Sequence, residues 1–276
     1  MAADQFAVFG HPIAHSLSPR IHHAFARQLG ITLEFRAIDA APDGFAAAVQ
    51  SFFAGGGIGA NVTLPHKAAA YALAAERSVA AARVGAANVL TRLADGRLAA
   101  HNTDGAGLVR DITARHQEDL HVHRALLLGA GGAARGVAWN LLDAGVQSLV
   151  IANRSPLKAE QLAAATGAQG QVHARGWNQL TEAGSFDLIV NATSAGVLGT
   201  PLRLPDSLMG AHALCYDLAY GPAASSFLGW ARAAGARQAL DGLGMLVETA
   251  ADAFLLWHGH RPDTEPVYQR LRTDTV

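Results

Sequence analysis

Residues 124–136 read RALLLGAGGAARG, and this stretch decides the fold. Ala125–Leu128 is apolar at every position, as expected of a strand covered on both faces of a parallel sheet. A glycine turn follows, then a helical run ending at Gly145. Gly129, Gly131 and Ala134 fit the pattern G-x-G-x-x-A, with Ala130, Gly132 and Ala133 filling the loop. Strand, glycine turn and helix in that order form the phosphate-binding corner of a dinucleotide fold. Gly129 permits the tight turn, and Gly131 lets the backbone approach a pyrophosphate. Ala134 lets the helix pack closely on the strand, with its N-terminus toward the phosphates.

The next strand says which dinucleotide. SLVIA (148–152) runs into Asn153-Arg154-Ser155, with Lys158 one turn further on. NAD sites usually carry Asp or Glu here, bonded to the ribose 2′-hydroxyl. No acid stands at this point, so nothing would repel a 2′-phosphate, and Arg154 offers a planar fork for one. The residues therefore favour NADP. The alternative is that Arg154 and Lys158 are ordinary surface charges.

Outward from this stretch, strand-like and helical runs alternate, which predicts an α/β protein with parallel sheets. In the first hundred residues, Phe6–Gly10, Leu33–Ile38 and Ile58–Leu64 read as strands. Helices are expected at Pro19–Gly30, Pro42–Ala54 and the alanine-rich run after Pro65. Asp95-Gly96, between two strand-like runs at 88–100, predicts a two-residue hairpin turn. Beyond the glycine loop, Ser148–Ala152, Phe186–Val190, Ala213–Leu218 and Arg237–Leu240 read as strands. Asp104–His116 reads as a connecting helix, Gly244–His258 as a long buried helix, and a short helix follows from Glu265. The expected domains are 1–103 plus 242–276, and a Rossmann-type 104–241.

Polar residues in the first half cluster where strands end: Ser16 and Ser18, Asn61 and Thr63, Asn88, and Asn102 with Asp104. Ligands of open α/β sheets bind at strand carboxyl ends, so these groups suit a small polyhydroxylated ligand. Each also has a plainer explanation: Ser18 and Thr63 as helix N-caps, Asn88 and Asn102 as turn residues. Lys67 falls in the first turn of a helix, where the unpaired N–H groups disfavour a cation. Either its long side chain simply reaches water, or the site wants an amine that trades a proton easily. If the fold brings Asp104 near it, such an amine could deliver a proton to a ketone undergoing hydride transfer.

In order, HSLSPxIH, NVTLPxK, NTDG, GAGGAARG, NRSxxK, NATSAG, YDLAY and DGLGML resemble the shikimate dehydrogenase family across nearly the whole chain. The resemblance implies NADP-dependent interconversion of 3-dehydroshikimate and shikimate, in two lobes with the C-terminal helices returning to the substrate lobe. It implies that Lys67 and Asp104 are the catalytic pair. Ser16, Ser18, Asn61, Thr63, Asn88 and Tyr220 would hold the substrate. Residues 129–133 would take the pyrophosphate, and Asn153, Arg154, Ser155 and Lys158 the 2′-phosphate end. Thr193, Leu218 and Gly242 would line the cofactor, the last two beside the nicotinamide. One departure stands out: after DGLGML the family carries a substrate-binding glutamine, and this chain has Thr249. Threonine is shorter and offers one hydroxyl in place of an amide. Weaker shikimate binding, or a paralogue favouring quinate, is the implied consequence, with Glu248 expected at the surface. A non-catalytic nucleotide sensor is the rival class.

Composition narrows the remaining choices. The chain has 276 residues, half of them hydrophobic, and a net charge of −1. The near-neutral balance without a basic run argues against nucleic acid. The single cysteine, Cys215, excludes an internal disulfide and a cysteine-based zinc site, and reads as core. No secretory leader or membrane span is read, so a cytoplasmic monomer or homodimer is expected. The thirteen histidines raise a metal question at His121-Val122-His123 and His258-Gly259-His260. Neither group has carboxylate or cysteine companions at zinc-like spacing, so exposed histidines and no metal are predicted. The aromatics of 253–259 recur at helical spacing and read as packing.

Overall fold

The protein, described here as a computed structural model covering residues 3–121 and 124–274, divides into two compact units. They are Met1–Gly107 with Val247–Val276, and Leu108–Leu246, each division a few residues after positions 103 and 241.

The first unit begins β1 (Asp4–Gly10), α1 (Ser18–Leu29), β2 (Leu33–Asp39), α2 (Phe45–Ala54) and β3 (Gly57–Val62). Then come α3 (Lys67–Leu73), β4 (Glu76–Arg77), α4 (Val79–Val84), β5 (Val89–Arg92) and β6 (Leu98–His101). The strands form one sheet in the order β2-β1-β3-β5-β6-β4. Helix α1 turns Ile21 and Phe25 inward and stops at Gly30, whose left-handed backbone bonds back to Ala26. On the other sheet face Phe9 meets the ring edges of Phe45 and Phe52 from α2.

Three expectations change here. The sheet is mixed, because β5 runs antiparallel to both β3 and β6. The alanine-rich run does not continue as one helix: α3 ends at Leu73, and β4 and α4 follow. The hairpin closes between Leu93 and Arg97, so Ala94-Asp95-Gly96 is a three-residue loop with Gly96 at φ +86°. A left-handed glycine at the end of such a loop satisfies the chain as well as the shorter turn does.

The second unit opens in α5 (Asp104–Arg110), which passes into a π turn, Asp111–Arg115, instead of running on to His116 as one α-helix. It continues with β7 (Arg124–Leu128), α6 (Gly132–Asp143), β8 (Ser148–Asn153), α7 (Pro156–Thr166), β9 (Val172–Gly176), β10 (Phe186–Asn191) and β11 (Met209–Asp217). Last come α8 (Ser225–Ala233), β12 (Gln238–Leu240) and α9 (Leu243–His258), before α10 (Glu265–Asp274). The order β12-β11-β10-β7-β8-β9 is parallel throughout and reverses between β7 and β10. That reversal marks the ligand-binding end of a doubly wound sheet. Leu126, Leu128, Ile189, Cys215 and Phe227 fill one core face, each large side chain contributing about 1.5–3 kcal/mol. Burial also pushes the Cys215 thiol up to about 12, as an inert core cysteine requires. Strand β9 escapes the sequence reading because VHARG has only two apolar side chains at an exposed edge.

The later turns of α9, with α10, belong to the first unit. Trp257 lies over Gly59 of β3, donating from Nε1 to Leu90 O and Thr91 Oγ1 at 3.3 and 3.2 Å. A Cβ at Gly59 would sit 2.3 Å from the indole nitrogen, so only glycine lets this helix seat.

Candidate active site

The mixed topology explains how four polar patches meet in the first unit. β1 and β3 run parallel, so the loops after Gly10 and Val62 leave the same end; His11 N–H donates to Leu64 O, and Thr63 N–H to Phe9 O. The antiparallel β5 brings its beginning to that end, where Asn88 O accepts from Val62 N–H. β6 ends opposite Val89, and Asn102, Thr103 and Asp104 follow.

Lys67 is the first residue of α3. His66 anchors the preceding turn: it is buried, its Nε2 lies 2.7 Å from Ala40 O, and its ring stacks on Phe45. From there Lys67 Nζ donates to Asp104 Oδ2 at 2.6 Å, with side-chain exposures of 16% and 7%. The other carboxylate oxygen accepts from Asn88 Nδ2 at 2.9 Å. Asn88 also donates to Thr103 Oγ1 and accepts from Thr103 N–H, so its amide orients the aspartate. Asn102 bonds Ala86 O and caps Asp104 N–H, as a turn residue does. Asp104 at the start of α5 is favoured by the same helix-end field that opposes Lys67 at the start of α3. A lysine held by one carboxylate oxygen keeps further N–H donors for a reacting oxygen.

In the segments that follow β1 and close β3, Ser18 and Asn61 are buried and Ser16 and Thr63 half-buried. Neither Ser18 nor Thr63 is a helix cap: Leu17 and His66 hold those positions, because Ser18 is already the first residue of α1 and α3 starts four residues after Thr63. Among the described residues the hydroxyls of Ser18 and Thr63 make no hydrogen bond, while Ser16 Oγ accepts from Ser18 N–H. Thr249 is buried too, its carbonyl accepting from Thr103 Oγ1 at 3.3 Å. Its neighbour Glu248 is not at the surface. It is 3% exposed and accepts from Arg261 Nη2 at 2.6 Å and Thr264 Oγ1 at 2.7 Å, tying α9 to the following chain.

In the second unit, Gly129 has φ +105°, and a Cβ there would crowd Ala192 O at 3.0 Å. At Gly131 and Gly132 a Cβ would meet no protein atom within 4 Å, so the start of α6 is open to a ligand. Ala130 is buried, Ala133 half-buried, and Ala134 packs fully. Asn153 bonds Ser155 O across the end of β8; Arg154 and Lys158 are exposed, with no carboxylate partner among the described residues. This end of β8 fits a 2′-phosphate, and the open α6 terminus fits a pyrophosphate.

Three further strand ends are stitched together by residues that the sequence reading passed over. Asn191 Oδ1 accepts from both N–H and Oγ1 of Thr193, and Asn191 Nδ2 donates to Asp217 Oδ2 at 2.8 Å. Asp217 Oδ1 accepts from Ala219 N–H, and Leu218 N–H donates to Asn191 O. Asp241 accepts from Gly221 and Leu243 N–H, and Gly242 N–H donates to Ala219 O. Thr193, Leu218 and Gly242 are thus held in one cluster. Tyr220 precedes the 3₁₀ turn Gly221–Ala224 and is half-buried. Burial, with Asp241 nearby, pushes the Asp217 carboxyl up to about 7, against the pull of its hydrogen bonds. Asn191, Asp217 and Asp241 all lie within the quoted motifs, and their position at strand ends was the available signal.

Of the described histidines in the two groups, His121 and His260 are exposed as expected, and His258 departs. His258 is half-buried, not exposed, its ring packed at a tilt against Phe6 and Phe254 at the end of α9. His121 is exposed and bonds Asp119, while Val122 and His123 lie outside the described residues. No group of three metal-ligating side chains occurs among the described residues, and no helix there is long and apolar enough to cross a membrane.

Three family models match the chain: the shikimate dehydrogenase substrate-binding domain over 8–90, shikimate/quinate 5-dehydrogenase over 111–199, and the shikimate 5′-dehydrogenase C-terminal domain over 242–272. A shikimate dehydrogenase (NADP(+)) of Xylella fastidiosa is 55% identical over 276 residues, covering 99% of this chain and 98% of that protein. Among solved structures, the Ael1 enzyme of Pseudomonas putida is 45% identical with a TM-score of 0.89, over 98% of both chains. Shikimate 5-dehydrogenase of Thermus thermophilus, in complex with NADP(H) and shikimate, is 35% identical with a TM-score of 0.86, over 98% of this chain and 99% of that one. With two α/β units, the motifs at their strand ends and relatives this similar along its full length, the chain belongs to the shikimate dehydrogenase family.

Proposed function

We propose that the protein catalyses the NADP-dependent, reversible reduction of 3-dehydroshikimate to shikimate. The observation that carries this reading is the 2.6 Å Lys67–Asp104 pair at the sheet end where Asn61, Ser18 and Thr63 offer polar groups. Bound NADP supplies or takes up the hydride. Lys67 holds at Nζ the proton that the substrate's C3 oxygen gains on reduction and loses on oxidation, and its charge stabilises the developing alkoxide. Asp104 aims the ammonium group, and Asn88 aims Asp104. In this reading Ser16, Ser18, Asn61, Thr63 and Tyr220 bind the substrate's carboxylate and hydroxyls. The loop 129–133 holds the pyrophosphate, Asn153, Arg154, Ser155 and Lys158 the 2′-phosphate, and Thr193, Leu218 and Gly242 line the cofactor, the last two beside the nicotinamide. We place the enzyme in the cytoplasm as a monomer or homodimer, which sedimentation would distinguish.

Thr249, standing where the family carries glutamine, supports a second reading: a shikimate dehydrogenase-like paralogue with weaker shikimate binding or a preference for quinate. An intact Lys67–Asp104 pair speaks against a sensor without turnover. Steady-state kinetics of shikimate and quinate, each with NADP and NAD, test all three. Turnover of shikimate with NADP is the expected result. Faster quinate oxidation would select the paralogue, and NADP binding without turnover would select the sensor.

A further inference from the structure

His22 lies one helical turn after Ser18 on α1 and is 0% exposed. Its ring stacks on Phe35 at 4.2 Å with a 6° interplanar angle, and Phe25, Phe254 and Trp257 complete an aromatic cage. Its Nε2 lies 2.9 Å from Asn61 Oδ1, while its Nδ1 is buried without a partner. Burial, with His258 and His23 nearby, lowers its pKa to about 3 against the bond to Asn61, so the imidazole is neutral at working pH.

A neutral imidazole carries one proton, and the cage decides where. On Nδ1 it would be a buried N–H with nothing to receive it, a worse defect than an unused acceptor. On Nε2 it donates to Asn61 Oδ1. That bond turns the Asn61 oxygen inward and leaves its amide nitrogen, which makes no hydrogen bond with another described residue, as the group Asn61 can offer a ligand.

We infer that His22 is a positioning residue that locks the Asn61 amide as a dedicated hydrogen-bond donor, so that this corner of the site reads an acceptor oxygen, carboxylate or hydroxyl, on the substrate. The inference rests on the proposed role of Asn61 in binding substrate.

Its first test is the tautomer, by long-range ¹H–¹⁵N NMR of the full chain labelled at histidine nitrogens. A neutral, Nε2-protonated His22 at pH 6 is expected; an Nδ1-protonated or charged ring overturns the inference. The second is kinetic. His22→Phe keeps an aromatic ring but loses the donor, and should raise the KM for shikimate about tenfold while the KM for NADP and kcat stay within about twofold. His22→Gln, which restores a donor, should recover most of that loss. An unchanged shikimate KM in His22→Phe, or kcat and both KM values worsening together without rescue by Gln, would overturn it. If His22→Phe fails to fold, the tautomer decides alone. Wild-type protein that turns over neither shikimate nor quinate would sink the functional reading and leave the tautomer result standing.

Discussion

Asp104 in the first unit and Asp217 in the second are both buried at strand ends, yet one faces an ammonium group and the other only neutral donors. In the first unit an opposite charge at 2.6 Å offsets the cost of taking a carboxylate out of water. In the second, Asn191 Nδ2 and Ala219 N–H supply hydrogen bonds but no charge, and burial raises the acid to about 7. The first arrangement sets a carboxylate against a lysine that can hand over a proton; the second ties loops together with an acid that burial pushes toward its neutral form. Burial therefore says little about chemistry until the partner is known.

The contrast is open to attack at several points. Lys67→Ala should lower kcat by about 10²–10⁴ and leave NADP binding, measured by fluorescence titration, near wild type. It should also lower Tm, because removing one partner of a buried pair costs about 3–5 kcal/mol. Turnover close to wild type would erase the difference between the two acids. Asp217 predicts a pH effect instead. Its folded pKa lies above its unfolded value, so its stabilising contribution is present below about pH 4 and is lost as pH rises toward 7. His22 works the other way: with its pKa lowered to about 3, stability is lost as pH falls below about 6.5. Between pH 5 and 6.5 the two slopes oppose. Asp217→Asn should therefore gain stability relative to wild type as pH rises from 5 to 7, by up to about 1.4 kcal/mol per pH unit, seen in calorimetry as a Tm difference that grows with pH. Identical slopes would mean that Asp217 does not titrate in this range.

Smaller effects sharpen the comparison on the ligand side. Arg154→Ala should raise the KM for NADP about tenfold without changing that for NAD, as expected when one charge-assisted bond to a 2′-phosphate is lost. Equal effects on both cofactors would return Arg154 to an ordinary surface charge. Thr249→Gln should lower the KM for shikimate by about two- to tenfold, one hydrogen bond's worth. No change would remove Thr249 from the specificity question.

How far the site was legible depended on the range of the interactions that form it. The G-x-G-x-x-A loop was readable because strand, turn and helix are contiguous and each obeys a local rule. Lys67 drew notice by breaking such a rule, a cation at a helix start. The alanine-rich run misled because alanine favours helix locally, while Glu76 and Arg77 pair with Ala99 and Ala100 on a strand more than twenty residues away. Glu248 was misplaced because glutamate is usually exposed, and only the fold brings Arg261 and Thr264 to it.

By itself, the sequence determined the alternation of strands and helices, the nucleotide loop, the lack of an acid after β8 and the family. All of these are carried by residue type and short spacing. The tertiary structure alone decided that β5 runs backwards to deliver Asn88 to Asp104, that Trp257 seats α9 on Gly59, and which way the Asn61 amide points. Each depends on side chains meeting across tens or hundreds of residues, where packing and desolvation, not local preference, set the outcome.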